Sequence, residues 1–159
     1  FTTATDSNGG SAEALVERGN AYYETGEYDE AVDDYRSALQ KDPDYAQAYR
    51  EWASVNVVRG NHQEALQNLD LAIENGDESI LAYTGRGNRK SDLGDRAGAA
   101  EDWKKSSELP ASTAREYSAR GFSKSRLNRK QDALDDYNQA LIVNPNSVIA
   151  IIIQAYLKY

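Results

Sequence analysis

The chain has 159 residues, 40% of them hydrophobic and 28% charged, a composition typical of one globular domain. It contains no cysteine and one histidine, His62, which excludes disulfides, thiolate metal sites and clusters of histidine ligands. The net charge of −8 argues against binding to nucleic acid, because affinity for phosphate backbones requires a basic surface.

Residues 1–11 are predicted to form a flexible leader, because Gly9, Gly10 and many small polar residues precede the first helical pattern. The chain begins at Phe1 and contains no methionine, so it is expected to be a processed chain or a segment of a longer one. The sequence therefore does not decide the localisation, which is the cytoplasm or, if a signal segment was removed, the periplasm.

From Ala12 onward the sequence repeats with a period of 34 residues, which is the sign of a repeat architecture. Gly19 and Asn20 return as Gly87 and Asn88, two periods later. The predicted repeats are 12–45, 46–79, 80–113 and 114–147, within a domain that covers 12–159.

Each repeat has two helices that are expected to pack closely, with a small residue facing a large one. The small residues of the eighth place are Gly19, Ala53, Gly87 and Gly121, and the large residues of the twenty-fourth place are Tyr35, Leu69, Trp103 and Tyr137. The fifteenth place holds Gly26, Gly60, Gly94 and Asn128, residue types that tolerate the left-handed conformation at a helix end. The predicted helices are 12–25, 28–41, 46–59, 62–74, 80–93, 96–108, 114–127, 130–143 and a terminal helix at 148–158.

Over residues 12–147 this pattern resembles the tetratricopeptide repeat (TPR). The resemblance implies an all-α fold, a right-handed superhelix or solenoid of four helix pairs plus a C-terminal helix. It also implies a protein-protein interaction module without catalytic activity, which binds a peptide or a partner helix in its concave groove.

The resemblance further implies which residues face that groove, namely those at the second, fifth, ninth, twelfth and thirteenth places of each repeat. The selected ligand-groove residues are Asn20, Tyr23, Arg50, Ser54, Asn88, Asp92, Arg115, Phe122 and Arg126. Asparagine can donate to and accept from a peptide backbone, and arginine can hold a carboxylate through two hydrogen bonds.

Some members of the family hold the C-terminal carboxylate of heat-shock chaperones with a clamp of lysine, asparagine and arginine. The corresponding positions here are Val16, Asn20, Glu51, Leu81 and Gly85. Only Asn20 agrees with the clamp, so binding of chaperone tails is not expected.

Arginine and aspartate occur together within the repeats. The seventh and twenty-third places hold Arg18 and Asp34, Arg86 and Asp102, and Arg120 and Asp136, whereas repeat two has Trp52 and Asn68. Loss of one partner of a partly buried pair would leave the other uncompensated, so joint replacement indicates a salt bridge between the two helices of a repeat.

No motif for catalysis is present: the sequence contains no glycine-rich phosphate loop, no nucleophile motif and no cluster of metal ligands. We therefore predict no catalytic residue, no cofactor and no metal site. The longest apolar run is too short to cross a bilayer, which needs roughly 20 residues, so direct membrane insertion is not expected.

The terminal helix is apolar on all sides, which predicts that another protein or another copy covers it. Its association surface would be Ile149, Ile152, Ile153 and Tyr156, while Ile151 and Ala155 should pack back on the fourth repeat. Residues 1–79 have 5 basic and 17 acidic side chains, a net charge of −12, whereas residues 80–159 have 13 and 9, a net charge of +4. The alternative function is therefore a self-assembling scaffold, a homo-oligomer joined by head-to-tail charge complementarity and the terminal helix.

Overall fold

The computed structural model describes residues 10–146 together with Ile151 and Ala155, and this part of the chain contains eight α-helices. They are α1 Ala12–Thr25, α2 Tyr28–Lys41, α3 Ala46–Val58, α4 His62–Glu74, α5 Ile80–Asp92, α6 Arg96–Glu108, α7 Ala114–Arg126 and α8 Lys130–Val143. Each of the first eight predicted helices agrees with the structure to within one residue at both ends, and the predicted all-α fold is confirmed.

The helix boundaries follow from local chemistry that the sequence shows. Gly26, Gly60, Gly94 and Asn128, which follow the first helix of each repeat, all have positive φ angles, between 62° and 92°. Glycine adopts this conformation without strain and asparagine tolerates it better than most residues. At the N-terminal ends of α1, α5 and α7, the side chains of Ser11, Ser79 and Thr113 cap the helices by accepting hydrogen bonds from backbone N–H groups.

Helices α1–α4 belong to a first compact unit, which ends at Asp77. Helix α1 packs on α2 and α3 packs on α4, while α3 also contacts both helices of the preceding pair. Its main core contains Leu15, Val16, Val32, Tyr35 and Val55, all at most 5% exposed.

Helices α5–α8 belong to a second unit, which begins at Glu78. Helix α5 packs on α6 and α7 packs on α8, while α7 also contacts α5 and α6. Its core is more polar, because the hydroxyls of Thr84, Ser106 and Ser123 lie together in the interior, 2.7–3.1 Å apart. Each of these buried hydroxyls has hydrogen-bond partners, so the polar cluster carries little desolvation penalty.

The predicted contact of small and large residues sets how closely the two helices of a repeat approach. A Cβ atom added to Gly19 would lie 2.6 Å from Cε1 of Tyr35, and one added to Gly87 would lie 2.9 Å from Cδ1 of Trp103. Repeat two instead combines Ala53 with the smaller Leu69, both buried. The eighth and twenty-fourth places therefore vary together in size.

All three predicted arginine–aspartate pairs are confirmed. The shortest N–O distances are 2.5 Å for Arg18–Asp34, 2.7 Å for Arg86–Asp102 and 2.6 Å for Arg120–Asp136. In repeat two, Trp52 takes the place of the arginine and makes a different contact. The centroid of its ring lies 5.2 Å from the guanidinium carbon of Arg36.

The terminal association surface, Ile149, Ile152, Ile153 and Tyr156, lies outside the described residues. Ile151 and Ala155 are helical, but Ile151 is 48% exposed and Ala155 is also exposed. The expectation that these two side chains pack back on the fourth repeat is therefore wrong. Apolar periodicity alone does not determine which side chains of a helix face the preceding repeat, so it could not place these two.

Among the residues that the structure describes, no helix is both long and apolar enough to span a bilayer. Within the same ranges, histidine and carboxylate side chains nowhere form a group of three or more that could hold a metal ion.

Candidate functional site

The predicted groove residues of the first unit are engaged in local contacts. The Tyr35 hydroxyl donates to Oδ1 of Asn20 over 2.9 Å, and the ring of Tyr23 lies 5.7 Å from that of Tyr28. The hydroxyl of Ser54 donates to the backbone carbonyl of its own helix, one turn earlier, over 3.4 Å. These side chains are all partly buried and still present some surface.

Arg50, which was predicted to hold a ligand carboxylate, already binds two carboxylates of its own unit. Its guanidinium lies 2.6 Å from Asp77 and 3.0 Å from Glu51, and its side chain is 17% exposed. Burial alone would lower the pKa of Arg50, but the two carboxylates raise it above its usual value. The charge of Arg50 therefore stabilises the first unit, and a ligand contact by this residue stays a prediction.

In repeats one, three and four, the fifth place does not face an open groove. Val16, Thr84 and Ser118 occupy this place and are at most 7% exposed. Thr84 shows the reason, since its hydroxyl lies 3.0 Å from that of Ser123 on α7. Thr84 is therefore used for packing between consecutive repeats, and the expectation that the fifth place faces the groove is wrong for Val16, Thr84 and Ser118.

The second unit brings four of the selected groove residues together at one cleft of about 190 Å³. We call it the α5–α7 cleft, and its lining residues are Asn88, Arg89, Ser91, Asp92, Trp103, Phe122 and Arg126. Asn88 and Asp92 come from α5, Phe122 and Arg126 come from α7, and Trp103 of α6 completes the wall. The fifth predicted residue of this unit, Arg115, is exposed at the start of α7 and is not part of the lining.

The charges of the α5–α7 cleft leave one arginine available for a ligand. Arg89 and Asp92 pair with each other over 2.8 Å. Arg126 instead lies over the ring of Trp103, with its guanidinium carbon 4.8 Å from the ring centroid, and its Nη2 is 3.5 Å from the hydroxyl of Ser91. Within the described part of the chain no carboxylate pairs with Arg126, so the cleft has a positive charge at its exposed edge.

Asn88 is held in a fixed orientation by the same tryptophan. The indole Nε1 of Trp103 donates to Oδ1 of Asn88 over 3.0 Å. This hydrogen bond repeats the one between Tyr35 and Asn20 in the first repeat. This hydrogen bond orients the side-chain amide, and its Nδ2 group can donate to a ligand, such as a peptide carbonyl.

The fourth repeat breaks this pattern. It has Phe122 in the asparagine position, and the hydroxyl of Tyr137 is buried without a hydrogen-bond partner in the described structure. Burial raises the pKa of Tyr137, mainly through loss of hydration, so the phenol stays protonated. An unpaired buried hydroxyl costs free energy, of the order of 1–3 kcal/mol.

A matched pair of substitutions tests this difference between the repeats. Tyr35→Phe should lower the free energy of unfolding by about 1 kcal/mol, because it removes the hydrogen bond to Asn20. Tyr137→Phe should leave stability unchanged or raise it by up to about 1 kcal/mol, because it removes a buried hydroxyl that has no hydrogen-bond partner in the described part of the chain. Urea denaturation of both variants measures the two effects, and equal losses would contradict the assignment.

Sequence reasoning missed two lining residues of the cleft, Arg89 and Trp103, whereas Ser91 lies at the twelfth place of its repeat, one of the places predicted to face the groove. Trp103 was assigned to the contact between the two helices of its repeat, which it does make, but its edge also reaches the cleft. The sequence contains a signal for this. The ninth place is asparagine in repeats one and three, where the twenty-fourth place holds an aromatic residue that can donate a hydrogen bond. The two pairs are Tyr35 with Asn20 and Trp103 with Asn88.

Comparisons with known proteins agree with the repeat pattern. A family model described as TPR repeat matches residues 19–58. Human tetratricopeptide repeat protein 6 is 30% identical over 154 residues, which cover 94% of this chain and 29% of that protein. The chain spans only 14% to 29% of the length of the curated relatives that it matches.

Two solved structures show the same fold. The thermophilic TPR protein TTC0263 of Thermus thermophilus is 21% identical and superposes with a TM-score of 0.70, covering 93% of this chain and 81% of that one. The second TPR of Spaghetti (RPAP3), bound to the HSP90 peptide SRMEEVD, is 23% identical with a TM-score of 0.61, covering 65% of this chain and 95% of that one. Together with the 34-residue period and the paired helices, the match to the TPR family model and the similarity to tetratricopeptide repeat protein 6 show that the chain belongs to the tetratricopeptide repeat family.

Proposed function

We propose that this chain is a protein-interaction module that binds an extended peptide in the α5–α7 cleft. The observation that carries the proposal is the convergence of Asn88, Asp92, Phe122 and Arg126, from two consecutive repeats, on one cleft. The cleft combines an oriented amide donor, an exposed cation and aromatic surface, the features with which proteins fix a peptide backbone and its side chains.

The family supports a peptide as the ligand class, since the second TPR of Spaghetti was solved with a bound HSP90 peptide. The same peptide is not the expected ligand here. Of the five clamp positions, Asn20 alone has the residue type of the clamp, and its acceptor oxygen is already bonded to Tyr35. We expect a different partner sequence and a binding site centred on the second unit.

Two substitutions test the proposed site. Asn88→Ala and Arg126→Ala should each weaken peptide binding by about 1–3 kcal/mol, because each removes a polar contact, while the fold stays intact. The probe is a peptide selected from a random library on the wild-type chain, and calorimetry measures its affinity for each variant.

The matched control is Arg96→Ala, which removes an exposed arginine on α6 that is not part of the cleft lining. It should leave the affinity unchanged. If all three variants bind the selected peptide as the wild type does, recognition lies elsewhere on the chain.

A self-assembling scaffold is the second candidate function, and the charge difference between the two parts of the sequence favours it. Oppositely charged surfaces of two copies would attract each other, and this attraction would weaken as salt rises. Light scattering at several protein and salt concentrations separates the two functions, because a peptide-binding module stays monomeric under conditions in which a scaffold associates.

A further inference from the structure

We infer that the α5–α7 cleft recognises a carboxylate that lies next to an apolar side chain in the bound peptide. Arg126 would bind the carboxylate and Phe122 would contact the apolar side chain. This inference rests on the proposed function and names the chemistry of its ligand.

The first argument is the charge of Arg126. Arg89 and Asp92 neutralise each other over 2.8 Å, whereas in the described structure the contacts of Arg126 are an aromatic ring and a hydroxyl. A guanidinium presents its N–H groups in one plane, which suits a planar carboxylate. Since the contact with Trp103 already restricts the arginine, less conformational entropy is lost on binding.

The second argument is the presence of phenylalanine at position 122. Asparagine occupies the equivalent place in repeats one and three and accepts the hydrogen bond of the neighbouring aromatic residue. With Phe122 in that place, the buried hydroxyl of Tyr137 has no hydrogen-bond partner among the described residues. A residue that violates a local rule at a cost in stability commonly serves function, and here it adds apolar area to the cleft.

The third argument is the size of the cleft. Its volume of about 190 Å³ lies below the ~300–1,000 Å³ of pockets that enclose a whole small molecule. A space of this size suits one or two side chains of a longer ligand. Because the cleft is open to solvent, the rest of a peptide can continue beyond it.

The test uses four labelled nonapeptides on a glycine–serine background. Three are amidated at the C-terminus and carry a central Glu-Phe, Gln-Phe or Glu-Ala pair. The fourth has no acidic side chain and ends in phenylalanine with a free C-terminal carboxylate, which distinguishes a terminal carboxylate from a side-chain carboxylate. Fluorescence anisotropy measures the affinity of each peptide for the intact chain.

We expect a peptide with a carboxylate beside phenylalanine, either Glu-Phe or the free C-terminus, to bind about tenfold more tightly than Gln-Phe and Glu-Ala, or about 1.4 kcal/mol. Arg126→Gln should abolish the preference for glutamate over glutamine, and Phe122→Asn should abolish the preference for phenylalanine over alanine. Arg96→Gln, which removes an equal charge outside the cleft, should keep both preferences.

Thermal unfolding of the same variants measures whether they keep the fold. Phe122→Asn should unfold near the wild-type temperature, because it offers Tyr137 an acceptor, and Phe122→Leu should keep the preference for phenylalanine. Equal affinity for the four peptides, or preferences that survive Arg126→Gln and Phe122→Asn, would overturn the inference.

The result that would contradict the proposed function differs from the result that would contradict this inference. If library-selected peptides lack the acidic–apolar pair and still lose affinity on Arg126→Ala, the cleft binds peptides but the inferred chemistry is wrong. If neither the four peptides nor the library-selected peptides respond to any cleft variant, both proposals are wrong.

Discussion

Replacing Asp102 with asparagine is expected to lower the free energy of unfolding by about 3 kcal/mol at neutral pH. Asp102 is 2% exposed and accepts hydrogen bonds from Arg86 at 2.8 and 2.7 Å, and its other contact is Lys90 at 2.9 Å. Asparagine would keep the shape of the side chain but leave two largely buried cations without their shared counter-charge. Such uncompensated charges are among the most destabilising changes in a protein interior.

The effect of Asp102→Asn should depend on pH in a defined direction. Burial alone would raise the pKa of Asp102, but the hydrogen bonds from Arg86 and Lys90 hold it below its usual value. A carboxyl whose folded pKa lies below its unfolded pKa of about 3.9 stabilises the fold above that pH, and this contribution is lost as pH falls through the folded pKa. The difference between wild type and variant should therefore stay constant from about pH 7 to 5 and shrink below about pH 4.

Urea denaturation at several pH values, followed by the fluorescence of Trp103 in a Trp52→Phe background, measures this difference in the second unit. Glu101→Gln is the matched control, because Glu101 precedes Asp102 on the same helix but is exposed. This control should change stability by less than about 0.5 kcal/mol. A stability difference that persists undiminished at the lowest pH would show that the charge of Asp102 is not what stabilises the unit.

Gly19→Ala is expected to cost about 2 kcal/mol, although alanine is the better helix former. The new Cβ would lie 2.6 Å from Cε1 of Tyr35 and 3.2 Å from the carbonyl oxygen of Ala31. The ring cannot easily move away, because Tyr35 is 1% exposed and its hydroxyl is bonded to Asn20. The overpacking penalty should therefore exceed the gain of roughly 1 kcal/mol in helix propensity.

A double-mutant cycle with Tyr35→Leu isolates the steric effect. Repeat two already combines alanine and leucine, as Ala53 and Leu69, in the same two places. In the Tyr35→Leu background, Gly19→Ala should thus become neutral or stabilising, as chemical denaturation would show. A loss of the same size in both backgrounds would mean that the ring is not the cause.

Most of the fold could be predicted from the sequence, because its determinants are local and recur at a fixed spacing. Glycine or asparagine at the fifteenth place marked where each first helix ends, and the positive φ angles of Gly26, Gly60, Gly94 and Asn128 confirm this. The three arginine–aspartate pairs could be predicted because both partners are replaced together in repeat two. Repetition thus supplied the comparison that a single copy of the motif lacks.

The cleft could be predicted only in part, because its properties depend on which partners the side chains find. Arg50 and Arg126 look alike in the sequence, but Arg50 binds Asp77 and Glu51, whereas Arg126 lies over Trp103. The partner Asp77 is 27 residues away from Arg50, and no local pattern links the two. The unpaired hydroxyl of Tyr137 likewise becomes apparent only from its surroundings.

The most direct test of the proposed binding site follows the indole N–H resonances of a ¹⁵N-labelled chain during titration with a library-selected peptide. The chain has two tryptophans, Trp52 in the first unit and Trp103 in the second, so this spectral region contains two signals that a Trp52→Phe variant assigns. Because Trp103 lines the cleft and donates to Asn88, its indole signal should shift with the peptide concentration while that of Trp52 stays in place. A saturable shift of the Trp52 signal alone, or peptide binding that moves neither signal, would contradict recognition in the α5–α7 cleft.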